Sequence, residues 1–146
     1  MTGHLDPIDK SGWPDGPWMT EPDRWLGHSG QFKIMAIRNP FLGSWLAYAG
    51  VPRDHKHYGV HYSDMYDTLG YHITHSAKLE WTETDLWWFG IDFGSGSDYM
   101  PGMEAWAMSR PDGFRHPEWV QGNKQFYAGL EHVQEDIERV AWRLNG

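Results

Sequence analysis

Cysteine is absent from this sequence of 146 residues. Disulfide bridges, thiolate nucleophiles and cysteine-ligated zinc are therefore excluded, and the composition is typical of a reducing cytoplasm. No apolar run approaches the roughly 20 residues that a membrane-spanning helix needs. The first residues also lack the basic start, apolar core and small-residue cleavage site of a secretory signal. We therefore expect a cytoplasmic protein without a membrane partner.

Positively charged residues are scarce. Twelve Lys and Arg residues stand against 20 Asp and Glu residues, which gives a formal net charge of −8. Proteins that bind duplex nucleic acid rely on basic side chains that displace counterions from phosphates, so a duplex partner is not expected. An acidic surface of this kind suits a basic partner protein instead.

Aromatic residues are abundant by contrast, with ten Trp, seven Tyr and six Phe. Their rings supply apolar area for a core, and their faces and polar edges also hold ligands. The length fits one domain. Residues 1–30 carry four prolines and five glycines, which predicts an extended arm that packs on the domain through its tryptophans. Residues 31–146 are predicted to form a single α+β domain.

Four stretches predict strands that pair as two hairpins. Residues 31–38 and the apolar run that follows the turn at 39–43 form the first hairpin. Residues 71–81 and 86–93 form the second, around a short polar turn. The polar, aromatic residues 52–69 between them predict a long structured loop. A second loop region follows at 94–122, with a short helical turn over 103–108.

The clearest periodic element lies at residues 124–144. Its apolar residues recur at steps of three and four and are Leu130, Val133, Ile137, Val140, Ala141 and Leu144. This spacing predicts an amphipathic helix whose apolar stripe covers one face of the sheet. The predicted fold is therefore α+β, with a mainly antiparallel sheet of about four strands packed by a C-terminal helix. The loop ends of the two hairpins are expected to frame a pocket.

Histidines and tryptophans gather in the middle of the chain. Five histidines lie between residues 55 and 75, where imidazole could ligate a metal, hydrogen-bond a ligand or serve the structure. No recognised metal-binding spacing is present, so no metal or other cofactor is predicted. Trp87 and Trp88 are adjacent in a strand and point to opposite faces, so one ring could remain exposed as a stacking platform.

These observations predict a ligand-binding site with no catalytic residue. Its members are expected to converge from distant segments into one ring-lined recess, and they are Arg53, His55, Tyr58, His75, Lys78, Trp87, Trp88 and Asp92. The aromatic rings would stack on a planar ligand, and the two basic residues would bind phosphate. The histidines and the aspartate would orient the ligand by hydrogen bonds.

Five segments of the sequence resemble a family of uncharacterised small phage proteins. They read EPDRW at 21–25, IRNPFLGSWLAYAGVP at 37–52, PRDHKHYG at 52–59, HSA at 75–77 and WWFGID at 87–92. In that family an RNxxxGxWxGYVGVP hairpin leads to a PxxHxxYG loop, an HGGxT element, a WWxGFD strand followed by Cys-Ala-His, and a closing helix. The resemblance carries over Arg38, Asn39, Gly43, Trp45, Gly50, Pro52, His55, Tyr58, Gly59, His75, Trp87, Trp88, Gly90 and Asp92.

The sequence departs from the family pattern at two places. Ser76 and Ala77 replace the paired glycines, and residues 93–95 replace the Cys-Ala-His segment with Phe-Gly-Ser. Because that Cys and His are missing, the departures favour a binding pocket over an enzyme. The resemblance implies a phage setting and therefore the cytoplasm of a host cell.

The leading hypothesis is a phage-encoded viral protein whose non-catalytic pocket binds and sequesters a small nucleotide-like immune signal of the host, an anti-defence activity. One alternative is a hydrolase of nucleotides or other phosphoesters that uses His55, His75 and Asp92 as acid, base or metal ligands. Another is an inhibitor whose acidic, Trp-rich face blocks a host defence protein. Symmetric assembly into a homo-oligomer is the default expectation for a pocket near a hairpin edge.

Overall fold

The computed structural model describes residues 7–79, 82, 85–94, 99–109 and 127–145. Five strands and three α-helices are found there. The strands are β1 (Arg24–Ser29), β2 (Phe32–Arg38), β3 (Trp45–Val51), β4 (His75–Ala77) and β5 (Trp87–Asp92). The helices are α1 (Tyr66–Leu69), α2 (Pro101–Met108) and α3 (Leu130–Leu144). Two short 3-10 turns lie at Pro17–Met19 and Tyr62–Asp64.

The strands form one open sheet in the order β1-β2-β3-β5-β4, and every neighbouring pair is antiparallel. The predicted α+β class is confirmed, and the strands of both predicted hairpins pair as expected. In the second hairpin, β4 covers only residues 75–77 of the predicted 71–81, and residues 80–81 and 83–84 lie outside the described residues. The sheet has five strands because the end of the segment predicted as an arm forms β1, which pairs with β2 from Arg24 opposite Ile37 to Ser29 opposite Phe32. Gly30 makes the turn with a φ of 58°, a conformation that favours glycine.

Strand alternation divides the side chains between two sheet faces. On the helix face, α3 packs over β2 and β3. Its apolar stripe meets a buried cluster that includes Phe32, Ile34, Trp45, Phe89 and Ile91. On the second face a smaller buried cluster forms, and its members are Met35, Ile37, Tyr48, Leu79 and Trp88. The apolar stripe of α3 thus covers one face of the sheet, as predicted.

The bounds of the helices differ slightly from those predicted. Helix α3 begins at Leu130, and residues 124–126 of the predicted helix lie outside the described residues. Helix α2 begins at Pro101, before the predicted turn at 103–108, because proline is well tolerated in the first turn of a helix. The predicted loop at 52–69 contains α1 and a 3-10 turn. Most of the second loop region lies outside the described residues.

A buried arginine ties the N-terminal segment to the domain. The guanidinium of Arg38 donates to the Asp23 carboxylate at 2.9 Å, to Glu21 at 3.0 Å and to the carbonyl of Gly43 at 2.7 Å. It also donates to the hydroxyl of Tyr127 at 2.8 Å and lies 4.4 Å from the ring centroid of Trp45. We call this cluster of residues the Arg38 clamp. It fixes the arm because a buried charge must keep its partners.

The second oxygen of Glu21 accepts a hydrogen bond from the backbone N–H of Leu130 at 2.9 Å. This contact satisfies a donor in the first turn of α3, where a negative charge is also favoured by the helix dipole. Burial opposes ionisation of Glu21, but hydrogen bonds from Tyr127, Leu130 and Arg38 outweigh it and lower the pKa of the carboxyl. The arm therefore also caps the C-terminal helix.

Within the described part of the chain, no helix combines the length and the apolar character that crossing a bilayer requires.

Candidate functional site

Seven of the eight residues predicted to bind a ligand are divided between the two faces of the sheet. Trp87 lies on the helix face, where its indole N–H donates to the carbonyl of Val60 at 2.9 Å. Trp88 lies on the second face and is buried in the smaller cluster. Neither ring is an exposed platform. The expected convergence into a single recess is therefore wrong, because strand alternation separates neighbouring side chains.

Three of the predicted residues fasten the loop after β3 to the helix face. His55 Nε2 donates to the carbonyl of Leu144 at 2.9 Å, while Nδ1 accepts from the N–H of His57 at 3.0 Å. The ring of Tyr58 lies 6.1 Å from that of Trp87, and Lys78 Nζ lies 5.9 Å from the Tyr58 ring. Because both ring nitrogens of His55 are engaged, this side chain holds the loop against the end of α3.

Arg53 lies outside both groups. It is exposed, and its guanidinium forms an ion pair with Asp85 at 3.6 Å. Exposed pairs of this kind contribute little stability. The two basic residues that were predicted to bind phosphate thus have different partners, Asp85 for Arg53 and the Tyr58 ring for Lys78.

His75 and Asp92 share a groove on the second face with Tyr48 and Thr74. The groove has a volume of about 250 Å³ and spans β3, β5 and β4. Its floor is Gly90, which is paired with Tyr48 on one side and with His75 on the other. A Cβ at Gly90 would lie 2.8 Å from the Tyr48 ring, so glycine permits the close approach of that ring.

The geometry also bears on the alternative hydrolase hypothesis. His55 lies against α3, whereas His75 and Asp92 lie in the groove of the second face. These three residues therefore do not form one catalytic group. Among the described residues, no three His, Asp or Glu side chains are grouped so that they could hold a metal ion.

A larger groove lies between α1 and α3, where the sequence predicted no site. Its volume is about 760 Å³, which is within the range of roughly 300–1,000 Å³ of small-molecule pockets. The residues that line it are Tyr66, Asp67, Thr68, Gly70, Tyr71, Trp142, Arg143 and Asn145. We call it the α1–α3 groove. It combines rings with a guanidinium, a carboxylate and an amide.

The rings of the α1–α3 groove are open to solvent. Tyr66 and Tyr71 stack on each other with centroids 5.2 Å apart and planes at 29°. Tyr71 is 80% exposed and Trp142 is 72% exposed. Large exposed rings on a small protein mark contact surfaces more often than packing. This groove therefore supplies the exposed stacking surface that neither Trp87 nor Trp88 provides.

Two basic side chains meet beside these rings at the turn that follows α1. Gly70 has a φ of 100°, and a Cβ there would lie 2.8 Å from the His72 ring and 3.4 Å from Arg143 Nη1. Burial and the nearby charges of Arg143 and Arg139 lower the pKa of His72, against the opposing effect of Asp136. Arg143 Nη1 donates to the carbonyl of Leu69 at 3.2 Å, the one hydrogen bond of this guanidinium to described residues.

None of the protein families, curated proteins or solved structures with which the chain was compared matches it.

One signal in the sequence could have revealed the α1–α3 groove. Trp142 lies beside the apolar stripe of α3, and on an amphipathic helix a large ring outside the stripe faces solvent. The contribution of Tyr66 and Tyr71 is harder to see, because their contact depends on the turn at Gly70. Arg143 has no sequence feature that separates it from Arg139.

Proposed function

We propose that this protein binds a small ligand that joins a planar ring to an anionic group, as a nucleotide does, in the α1–α3 groove. The observation that carries the proposal is the placement of Arg143 among the exposed rings of Tyr71 and Trp142. Bases stack on aromatic side chains in this way, with a contribution on the order of 1–3 kcal/mol per base.

The guanidinium of Arg143 supports the anionic half of the ligand. Arginine binds phosphate through parallel N–H donors, and most of the donors of Arg143 are not used by described residues. His72 stands beside it and adds a polar group that an anion would favour in its charged form. Because the chain as a whole has a net charge of −8, a place where an arginine and a histidine lie side by side stands out from the rest of the chain.

The remaining polar groups of the groove suit the sugar or the base. The carboxylate of Asp67 can accept hydrogen bonds from hydroxyl or amine groups, and the amide of Asn145 can both donate and accept. These groups provide stacking and hydrogen bonding rather than a nucleophile with its base. A site of this kind acts by sequestration, which suits an anti-defence protein that withholds a nucleotide-like signal from its host receptor.

Calorimetry and thermal-shift measurements with mononucleotides, cyclic dinucleotides and ADP-ribose test the proposal. A ligand that binds the folded state raises the melting temperature. We expect Trp142→Ala and Arg143→Gln each to weaken binding about tenfold or more, since 1.4 kcal/mol corresponds to tenfold. Phe41→Ala and Arg53→Gln are matched controls, because both residues are exposed and lie outside the groove.

Two results would contradict the proposal. One is the absence of any thermal shift or heat of binding from all three ligand classes, with protein shown to be folded by circular dichroism. The other is binding that the two groove variants leave unchanged. Recovery of chemically altered nucleotide after incubation would instead favour the hydrolase alternative.

A further inference from the structure

The groove on the second face of the sheet differs from the α1–α3 groove in size and charge. At about 250 Å³ it falls below the usual range for a whole small-molecule ligand, so it suits a single side chain or head group. Among the described residues, its lining includes the carboxylate of Asp92 and no Lys or Arg. An occupant of complementary chemistry would therefore carry a positive charge.

Asp92 is held in place before any ligand arrives. One carboxylate oxygen, Oδ1, accepts a hydrogen bond from the N–H of Gly94 at 2.7 Å, and the Asp92 N–H donates to Thr74 Oγ1 at 3.0 Å. Among the described residues, the other carboxylate oxygen makes no hydrogen bond. The side chain is exposed at the end of β5, so that oxygen is available to a donor from outside.

Tyr48 provides a ring beside this carboxylate. Burial raises the pKa of the Tyr48 hydroxyl, and the charge of Asp92 raises it further. The ring is held edge to face by His75 at 6.2 Å and by Trp88 at 6.5 Å. A carboxylate next to a fixed aromatic ring is a recurrent arrangement for binding cations, and a guanidinium uses both because it is planar and carries several donors.

We propose that this groove binds the guanidinium of an arginine side chain presented by a basic partner protein. Asp92 would accept its N–H donors, Tyr48 would contact its plane, and His75 and Thr74 would line the sides of the groove. The negative charge of the whole chain favours the approach of a basic partner. The inference uses none of the residues that line the α1–α3 groove.

Amide NMR on the full chain at pH 8 tests this with three blocked amino acids: arginine, lysine and citrulline, which has the shape of arginine without its charge. We expect arginine to bind with a Kd on the order of 1 mM, which is weak but measurable. The amides of Thr74, His75, Gly90 and Gly94 should shift, and citrulline should cause no saturable shift. A peptide with several arginines should bind more tightly than the single amino acid.

Asp92→Asn should weaken arginine binding at least tenfold, while Asp67→Asn in the other groove should leave it unchanged. Asparagine keeps the oxygen that accepts from Gly94, so the variant is expected to fold. If its amide spectrum is nevertheless altered, His75→Gln provides a second test on the other wall and should weaken binding severalfold. Equal shifts from citrulline and arginine, or full affinity in Asp92→Asn, would overturn the proposal. Lysine binding as tight as arginine would overturn the choice of a guanidinium.

Discussion

Arg38 and Arg143 each connect the C-terminal part of the chain to an earlier segment. The two guanidinium groups differ in how many hydrogen bonds they donate. Arg38 is 1% exposed, and its guanidinium donates four hydrogen bonds to described residues. The guanidinium of Arg143 donates one and forms no ion pair with them. An arginine with four of its five N–H donors engaged stabilises the fold, whereas one with most of its donors available can bind an anion. The comparison thus separates a structural cation from the one that we propose to bind a ligand.

The largest expected effect comes from removing the buried cation. Arg38→Gln removes the buried cation that pairs with Glu21 and Asp23. Because Asp23 keeps its ion pair with Lys10 at 2.6 Å, the loss should lie near the lower end of the roughly 3–5 kcal/mol that breaking a buried ion pair costs. Arg143→Gln should change the free energy of unfolding by less than about 1 kcal/mol, because it removes one weak hydrogen bond at the surface. Urea unfolding followed by circular dichroism measures both. Equal losses in the two variants would abolish the distinction between the arginines.

The hydroxyl groups of Tyr127 in the Arg38 clamp and Tyr71 in the α1–α3 groove allow the same comparison with a smaller change. The Tyr127 hydroxyl contacts Arg38, Glu21 and the indole N–H of Trp45, so Tyr127→Phe leaves buried donors unpaired at a cost of about 1–3 kcal/mol. Tyr71→Phe should stay within about 0.5 kcal/mol of the parent, since that residue is exposed. The same unfolding assay applies. A neutral Tyr127→Phe would show that the clamp does not depend on its hydroxyl.

Alkaline pH gives a second readout of Tyr127. Burial and the Glu21 hydrogen bond raise its pKa to about 12, despite the opposing charge of Arg38. Because the pKa in the folded state is higher than the ordinary value near 10, the stabilisation is complete below pH 10 and is lost as the pH rises from 10 to 12. Tyr127→Phe should therefore lose less stability across this interval than the parent. An unchanged slope of melting temperature against pH would contradict this account.

The smallest expected effect is a change in the pKa of His72. It tests whether the guanidinium of Arg143 lies beside the His72 ring. Burial lowers this pKa and Arg143 lowers it further, so Arg143→Gln should raise it and Arg38→Gln should not. In the parent, the lowered pKa means that the unfolded chain binds protons more readily, and stability should fall as the pH drops below about 6.5. NMR titration of the His72 ring gives the direct measurement. A pKa that is the same in Arg143→Gln and in the parent would place Arg143 away from His72.

Sequence patterns predicted the fold class, four of the five strands and the C-terminal helix, but not the site. The 3.6-residue period of α3 and the apolar content of β2, β3 and β5 depend on burial, which the sequence records directly. Strand β1 was missed because its alternation is short and follows several prolines. It is stabilised by pairing with β2, a contact between different segments.

The site could not be predicted for a different reason. Trp87 and Trp88 are prominent in the sequence, yet both rings serve the core, one on each face of the sheet. Whether a ring is exposed depends on which other segments pack over it, and the local sequence around the ring does not show that. The two most exposed rings of the α1–α3 groove, Tyr71 and Trp142, come from segments about 70 positions apart. Only the turn at Gly70 and the docking of α3 bring them together.

The Arg38 clamp also limits the order in which contacts can form while the chain is synthesised. Glu21 and Leu130 lie 109 positions apart, yet a single carboxylate links them. During synthesis, β2 can pair with β3 early. The Arg38 clamp can be completed only after Tyr127 and the start of α3 have been synthesised. Until then the N-terminal segment lacks the contacts of Glu21 with Tyr127 and Leu130. A protease that cuts that segment would thus weaken a helix at the far end of the polypeptide.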